Sequence, residues 1–194
     1  METKIIQITD EIQSFEINVE ARAEKRVVFH IVAQKHIDGV LTIHLLGEGA
    51  TVEIFGLIET GHHDDIHMNV AVMHEAKHTK SVSHIKCVVK DESTCTVDGL
   101  IHIEKQSDAS DAYQKIEVVL IGNEAKGNAR PMLEILNKEV KCSHGTTVAH
   151  IPEDIVWSMQ SAGLSKPLAE QLYIKGFTKS INKYLARPAK GVGI

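Results

Sequence analysis

Aromatic residues make up only 4% of this 194-residue chain, so its interior is not organised around large rings. The three cysteines, Cys87, Cys95 and Cys142, are an odd number and include no C-x-x-C pair, which argues against both a disulfide framework and a zinc ribbon. A reducing compartment suits them. Basic residues are not in excess: 21 Lys and Arg face 26 Asp and Glu, a net charge of −5, so no general nucleic-acid-binding surface is indicated. No stretch approaches about 18 uninterrupted apolar residues. Met1 to Gln13 alternates apolar and charged residues and lacks the continuous apolar segment of a secretion signal. Together these absences predict a soluble, cytoplasmic chain that engages neither nucleic acid nor membrane.

What the chain does have is aliphatic: hydrophobic residues reach 43% and are rich in Val and Ile. Branching at Cβ restricts χ1 and suits these residues to pleated strands. Strand-like runs follow one another at 2–9, 15–19, 27–32, 40–45, 51–58, 66–73, 81–89, 95–103, 112–121 and 132–136. Polar corners are expected at His36-Ile37-Asp38-Gly39 and Gly47-Glu48-Gly49-Ala50. Asp38-Gly39 and Asp98-Gly99 lead straight into apolar runs and are weak hairpin signals. A sandwich and a β-solenoid both fit. In the solenoid, a segment such as Val82-His84-Ile85-Cys87-Val89 would combine inward aliphatics with an exposed polar row.

After Ile151 the pattern becomes helical. Pro152, Glu153 and Asp154 suit a first turn, with Ile155, Val156, Met159 and Ala162 on one face and Gly163 as the stop. Ser165 is the expected N-cap of a second helix, with Pro167 in its first turn and Gly176 at its end. A third short helix is expected around Ile181, Tyr184 and Leu185, closed by Pro188. The division is a β body over 1–151 and a helical region over 152–194.

Between the two lies Lys141-Cys142-Ser143-His144-Gly145-Thr146-Thr147. A thiol and an imidazole two residues apart share one face of an extended segment. Spacing alone favours a buried cysteine beside a structural histidine, because a lone C-x-H lacks the ligand count of a structural zinc site. If the thiol is functional, Lys141 and protonated His144 are expected to lower its pKa. Cys87 and Cys95 read as ordinary core or corner thiols. His62, His63 and His67, followed by His74, His78 and His84, are weak metal candidates. The simpler expectation for them is a solvated turn with histidines on the outer face. Lys175, Lys179, Lys183, Arg187 and Lys190 read first as a solvated helix face.

Several runs together resemble a known family: Ala129-Arg130-Pro131-Met132-Leu133-Glu134-Ile135, Val140-Lys141-Cys142-Ser143-His144-Gly145-Thr146-Thr147-Val148, Gly163-Leu164 and Gly176-Phe177. The chain is similar to the SufB/SufD scaffold proteins of the SUF iron–sulfur cluster assembly system, specifically from about Met73 to Phe177. The resemblance implies a mainly β protein, a right-handed parallel β-helix followed by a small C-terminal helical region. It also implies a scaffold rather than an enzyme. Gly145 stands where SufB-type chains carry the glutamate of H-E-A-T, and no cysteine occurs near Ile116, so the centre is SufD-like. Ala162 replaces the usual arginine of S-R-G.

By this resemblance Cys142 and His144 are the candidate residues for binding a transient iron–sulfur cluster or sulfur at a dimer interface. The C-terminal helices would dock a SufC-like ABC-type ATPase, and the dimer would be a homodimer or a heterodimer with a SufB-like chain. Family members run to more than twice this length, so the chain reads as a compact member keeping the distal β-helix and tail. The alternative is a shortened structural or regulatory homologue that binds a SUF partner without holding a cluster. Solenoid acyltransferases or lyases are disfavoured, because neither regular hexapeptides nor an extracellular targeting signal is present.

Overall fold

A computed structural model describes residues 1–9, 12–32 and 35–185. Among them the chain forms β1 Glu2–Ile8, β2 Ile12–Val19, β3 Glu24–Val32, β4 His36–Leu45, β5 Thr51–Glu59, β6 Asp65–His74, β7 Lys80–Lys90, β8 Thr94–Ile103, β9 Asp111–Ile121, β10 Lys126–Ile135 and β11 Lys141–His150. Helices α1 Glu153–Ser161 and α2 Lys166–Leu185 follow. Odd-numbered strands pair in the order β1-β3-β5-β7-β9-β11 and even-numbered strands in the order β10-β8-β6-β4-β2. Every pairing is parallel. The chain therefore alternates between two facing sheets and winds a β-solenoid of about five turns. A hairpin-built sandwich is ruled out.

Corners make this winding possible. Arg22, Gly49, His78 and Ala109 form one stacked column of left-handed residues, and His62, Asp91 and Gly122 form the other. For a residue with a Cβ that conformation costs about 1–2 kcal/mol. Stacking offsets it, since the corner N–H groups of Gly49, His78 and Ala109 donate to Lys77, Asp108 and Glu139 carbonyls of the next turn at 3.0, 2.8 and 2.8 Å. The expected corner at Gly47-Glu48-Gly49-Ala50 is one of these. The expected corner at His36–Gly39 is instead the start of β4, because Ile37 is buried inward and His36 and Asp38 face outward as an ion pair.

Rows of like side chains fill the space between the sheets. Ile8, Ile31, Ile58, Cys87 and Val118 stand in register along one inner row, all 1% exposed or less. Burying each large aliphatic is worth about 1.5–3 kcal/mol, which is how a chain poor in aromatics builds a stable interior. Phe29, a fully buried ring, lies beside Gly56, where any Cβ would collide with it. Pro131, which has no N–H, is tolerated in β10 because that strand ends its sheet.

Among the described residues the tail has two helices, and the expected third helix around Ile181, Tyr184 and Leu185 is the end of the second. Gly163 does stop α1: its φ is +94°, its N–H donates to Gln160 O, and Leu164 N–H donates to Met159 O. Gly176, by contrast, lies inside the continuous α2, and Pro188 lies outside the described residues. Packing overrides the glycine. Ile181 is buried against Val28 and Leu57 on the outer face of the odd-numbered sheet, and Tyr184 stacks on Phe55 at 4.5 Å. Lys86 Nζ donates to Phe177 O at 2.7 Å and sits 4.6 Å from that residue's ring centroid.

Candidate functional site at the open end of the solenoid

Cys142 and His144 lie on β11, the last strand of its sheet, in register with Ala112 and Gln114 on β9. Alternation puts both on the inner face, with Ser143 and Gly145 directed outward. Among the described residues no further strand follows β11 in its sheet, so the inner layer is uncovered at this end. Cys142 is half-buried against the apolar cluster of Ile101, Ile103 and Ala112, while His144 is exposed. The thiol thus has an apolar back wall and an accessible front.

That wall sets its acidity. Burial, followed by the negative charge of Asp111, pushes the Cys142 thiol above its ordinary value. The expected lowering by Lys141 and His144 is overturned, because burial disfavours the thiolate and the charge acting on it is a carboxylate. At neutral pH Cys142 is a thiol, and any metal that binds it must displace a proton.

The histidines are distributed rather than gathered. His62 and His63 lie in the corner before β6, His62 in the left-handed column and His63 at 3.5 Å from Glu92. His67, on β6, pairs with Asp98 at 2.8 Å. Partial burial works against ionisation of Asp98, but hydrogen bonds from Arg130 and His67 outweigh it and hold the carboxyl below its usual range. Among the described residues no group of three or more His, Cys, Asp or Glu is placed to hold a metal ion.

His74 departs most from expectation. It points inward and is fully buried, with Nδ1 2.8 Å from Thr79 Oγ1 and Nε2 2.8 Å from Ser81 Oγ. Burial pushes its pKa down to about 4, so it is a neutral core histidine bonded at both nitrogens. Cys87 and Cys95 are buried as expected, and a hydrogen bond donated by the Cys87 thiol to Cys95, followed by full burial, raises the Cys87 thiol well above normal. In β7 the inward polar residues are Ser81 and Ser83, while Val82 and His84 face outward, so the expected inward Val82 is reversed. Ser83, Gln114 and Asp111 escaped the sequence reading. The alternation Ser81-Val82-Ser83-His84 carries a trace of the first, but nothing local marks the other two.

These features define a class: a two-sheet parallel β-solenoid with a helical tail, whose open end carries a thiol and an imidazole on its inner face. Residues 9–177 match the family model described as SUF system FeS cluster assembly, SufBD core domain, and the chain belongs to that family. It is 27% identical over 141 residues to the iron–sulfur cluster assembly protein SufD of Escherichia coli, covering 73% of this chain and 33% of that protein. A SufBD family protein of Synechocystis is 28% identical over 117 residues, covering 60% of this chain and 25% of the relative. One from Staphylococcus saprophyticus is 22% identical over 141 residues, covering 73% and 30% respectively. The chain spans a quarter to a third of the length of these curated relatives. Among the described residues no helix is long and apolar enough to cross a membrane.

Proposed function

We propose that this chain is a SufD-like, non-enzymatic scaffold or accessory component of SUF-type iron–sulfur cluster assembly, working in the cytoplasm with an ABC-type ATPase. The observation that carries the reading is the pairing of Cys142 and His144 on the inner face of β11, where the solenoid is open. Thiolate sulfur and imidazole nitrogen are suitable donors to iron. One chain offers two of them, and a two-fold dimer, or a SufB-like chain laid against the free edge of β11, brings the number to four. The cluster is cargo, loaded at this end and released to an acceptor.

Loading begins at a protonated thiol. The proton leaves to solvent through the accessible front of the site as the sulfur binds iron, with His144, two residues along on the same face, as the second donor. The ATPase would dock on the helical tail, where Trp157 is 70% exposed and Leu168 and Leu172 are also open. The alternative, a homologue that binds a SUF partner without holding a cluster, draws support from the two-donor count per chain. Anaerobic reconstitution with iron and sulfide separates the readings. The scaffold predicts a chromophore in the parent that is lost in Cys142→Ser and weakened in His144→Ala; a parent that stays colourless leaves the partner-only role.

A further inference from the structure

Behind His144 the interior holds polar atoms with no protein hydrogen-bond partner. The Ser83 hydroxyl and both amide atoms of Gln114 are buried without a hydrogen-bond partner. Ser83 is 2% exposed and Gln114 is 0% exposed. They are neighbours, because Ser83, Gln114 and His144 stand in register on β7, β9 and β11 and all face inward. The row thus runs from the closed interior to the open end.

Opposite the amide lies Gly99 on β8, where a Cβ would collide with Oε1, Nε2 and Cδ of Gln114. The absence of a side chain at Gly99 is what lets the amide reach across the interior. This polarity is local. One turn earlier the residue in register with Ser83 is Ile54, and the one in register with Gly99 is Val70. Nearby polar residues are already satisfied, as in the His74, Thr79 and Ser81 network. Buried amides in folded proteins are almost always bonded, so a site with a free donor, a free acceptor and a free hydroxyl calls for a ligand.

We propose that Gln114 and Ser83 form an inner subsite for sulfide, one layer behind the Cys142 and His144 pair. The ligand is water-sized and must both donate and accept, since Gln114 Oε1 needs a donor and Nε2 an acceptor. Dihydrogen sulfide does both. It also demands less hydrogen bonding than water, which suits a layer flanked by Ala112, Ile116 and Ile85. Its neutral form is the one retained, because Lys86 and Lys115 face outward and pair with Glu117. Only the identity of the ligand rests on the cluster-assembly reading; the unsatisfied atoms do not.

The test is an anaerobic sodium sulfide titration of the full, nitrogen-15-labelled chain at pH 6.5, followed by the Gln114 side-chain amide signals, with sodium chloride as control. A saturable shift is expected in the parent and in Cys142→Ser. It is expected to require several-fold more sulfide in Ser83→Ala. No saturable shift in the parent means that water alone occupies the layer and overturns the proposal. A Ser83→Ala response equal to the parent's also overturns it. A colourless reconstitution with the sulfide shift intact defeats the scaffold reading and leaves the subsite; a chromophore without the shift does the reverse.

Discussion

The early and late turns of this solenoid share a backbone and differ in what they enclose. Along the inner face of the odd-numbered sheet, Val27 and Ile54 stand in register with Ser83, Gln114 and His144, and Val52 with Ser81, Ala112 and Cys142. The first row changes from aliphatic to polar as the stack nears its open end, and the second trades valine for small residues and a thiol. In a solenoid each turn contacts chiefly its neighbours, so one end can be devoted to stability and the other to chemistry without redesigning the whole.

The contrast is broken most severely by exchanging its two sides. Ile54→Ala should cost about 2–5 kcal/mol in urea denaturation, as a fully buried aliphatic loses its packing. Ser83→Ala, one turn away in the same row, should fall within about 1 kcal/mol of the parent, because it removes an unsatisfied hydroxyl. Equal losses at the two positions would show that the late turns are ordinary core.

Next in size is His74. Its folded pKa of about 4 lies below the unfolded value of 6.5, so its contribution is present above the unfolded pKa and is lost as pH falls through that window. About 3 kcal/mol of stability should disappear between pH 7 and pH 4. His74→Gln should flatten that part of the pH–stability curve.

A smaller effect sharpens the picture at the open end. Asp111→Asn removes the negative charge that helps keep Cys142 protonated, so iodoacetamide alkylation at pH 8 should be several-fold faster than in the parent. Unchanged kinetics would assign the raised pKa to burial alone. The smallest change falls on the tail. Gly176 is helical with open space where a Cβ would sit, so Gly176→Ala should raise stability by about 0.5–1 kcal/mol.

Periodicity carried much of the fold. Runs such as 51–58 and 95–103 announced strands, and Gly163 announced the end of α1. Parallel stacking was hidden, because it rests on pairings about one turn apart and on corners where Arg22, His62, His78, Asp91 and Ala109 adopt a left-handed conformation that no glycine advertises. Gly176 misled because helix propensity is weak against the burial of Ile181 and the grip of Lys86 on Phe177. At the open end, the placement of Cys142 and His144 on one face of an extended segment was legible in their spacing. The sign of the thiol's pKa shift was not, since Asp111 and the apolar wall come from other turns.

Helix α2 reaches across the stack, touching β7 through Lys86, β5 through Phe55 and Leu57, and β3 through Val28 and Arg26. A bare array of turns coupled only to nearest neighbours can fray from either end, one turn at a time. A single rod fastened to three successive odd-numbered strands ties their unfolding together. The tail therefore acts as a splint, making the middle of the stack melt as one unit.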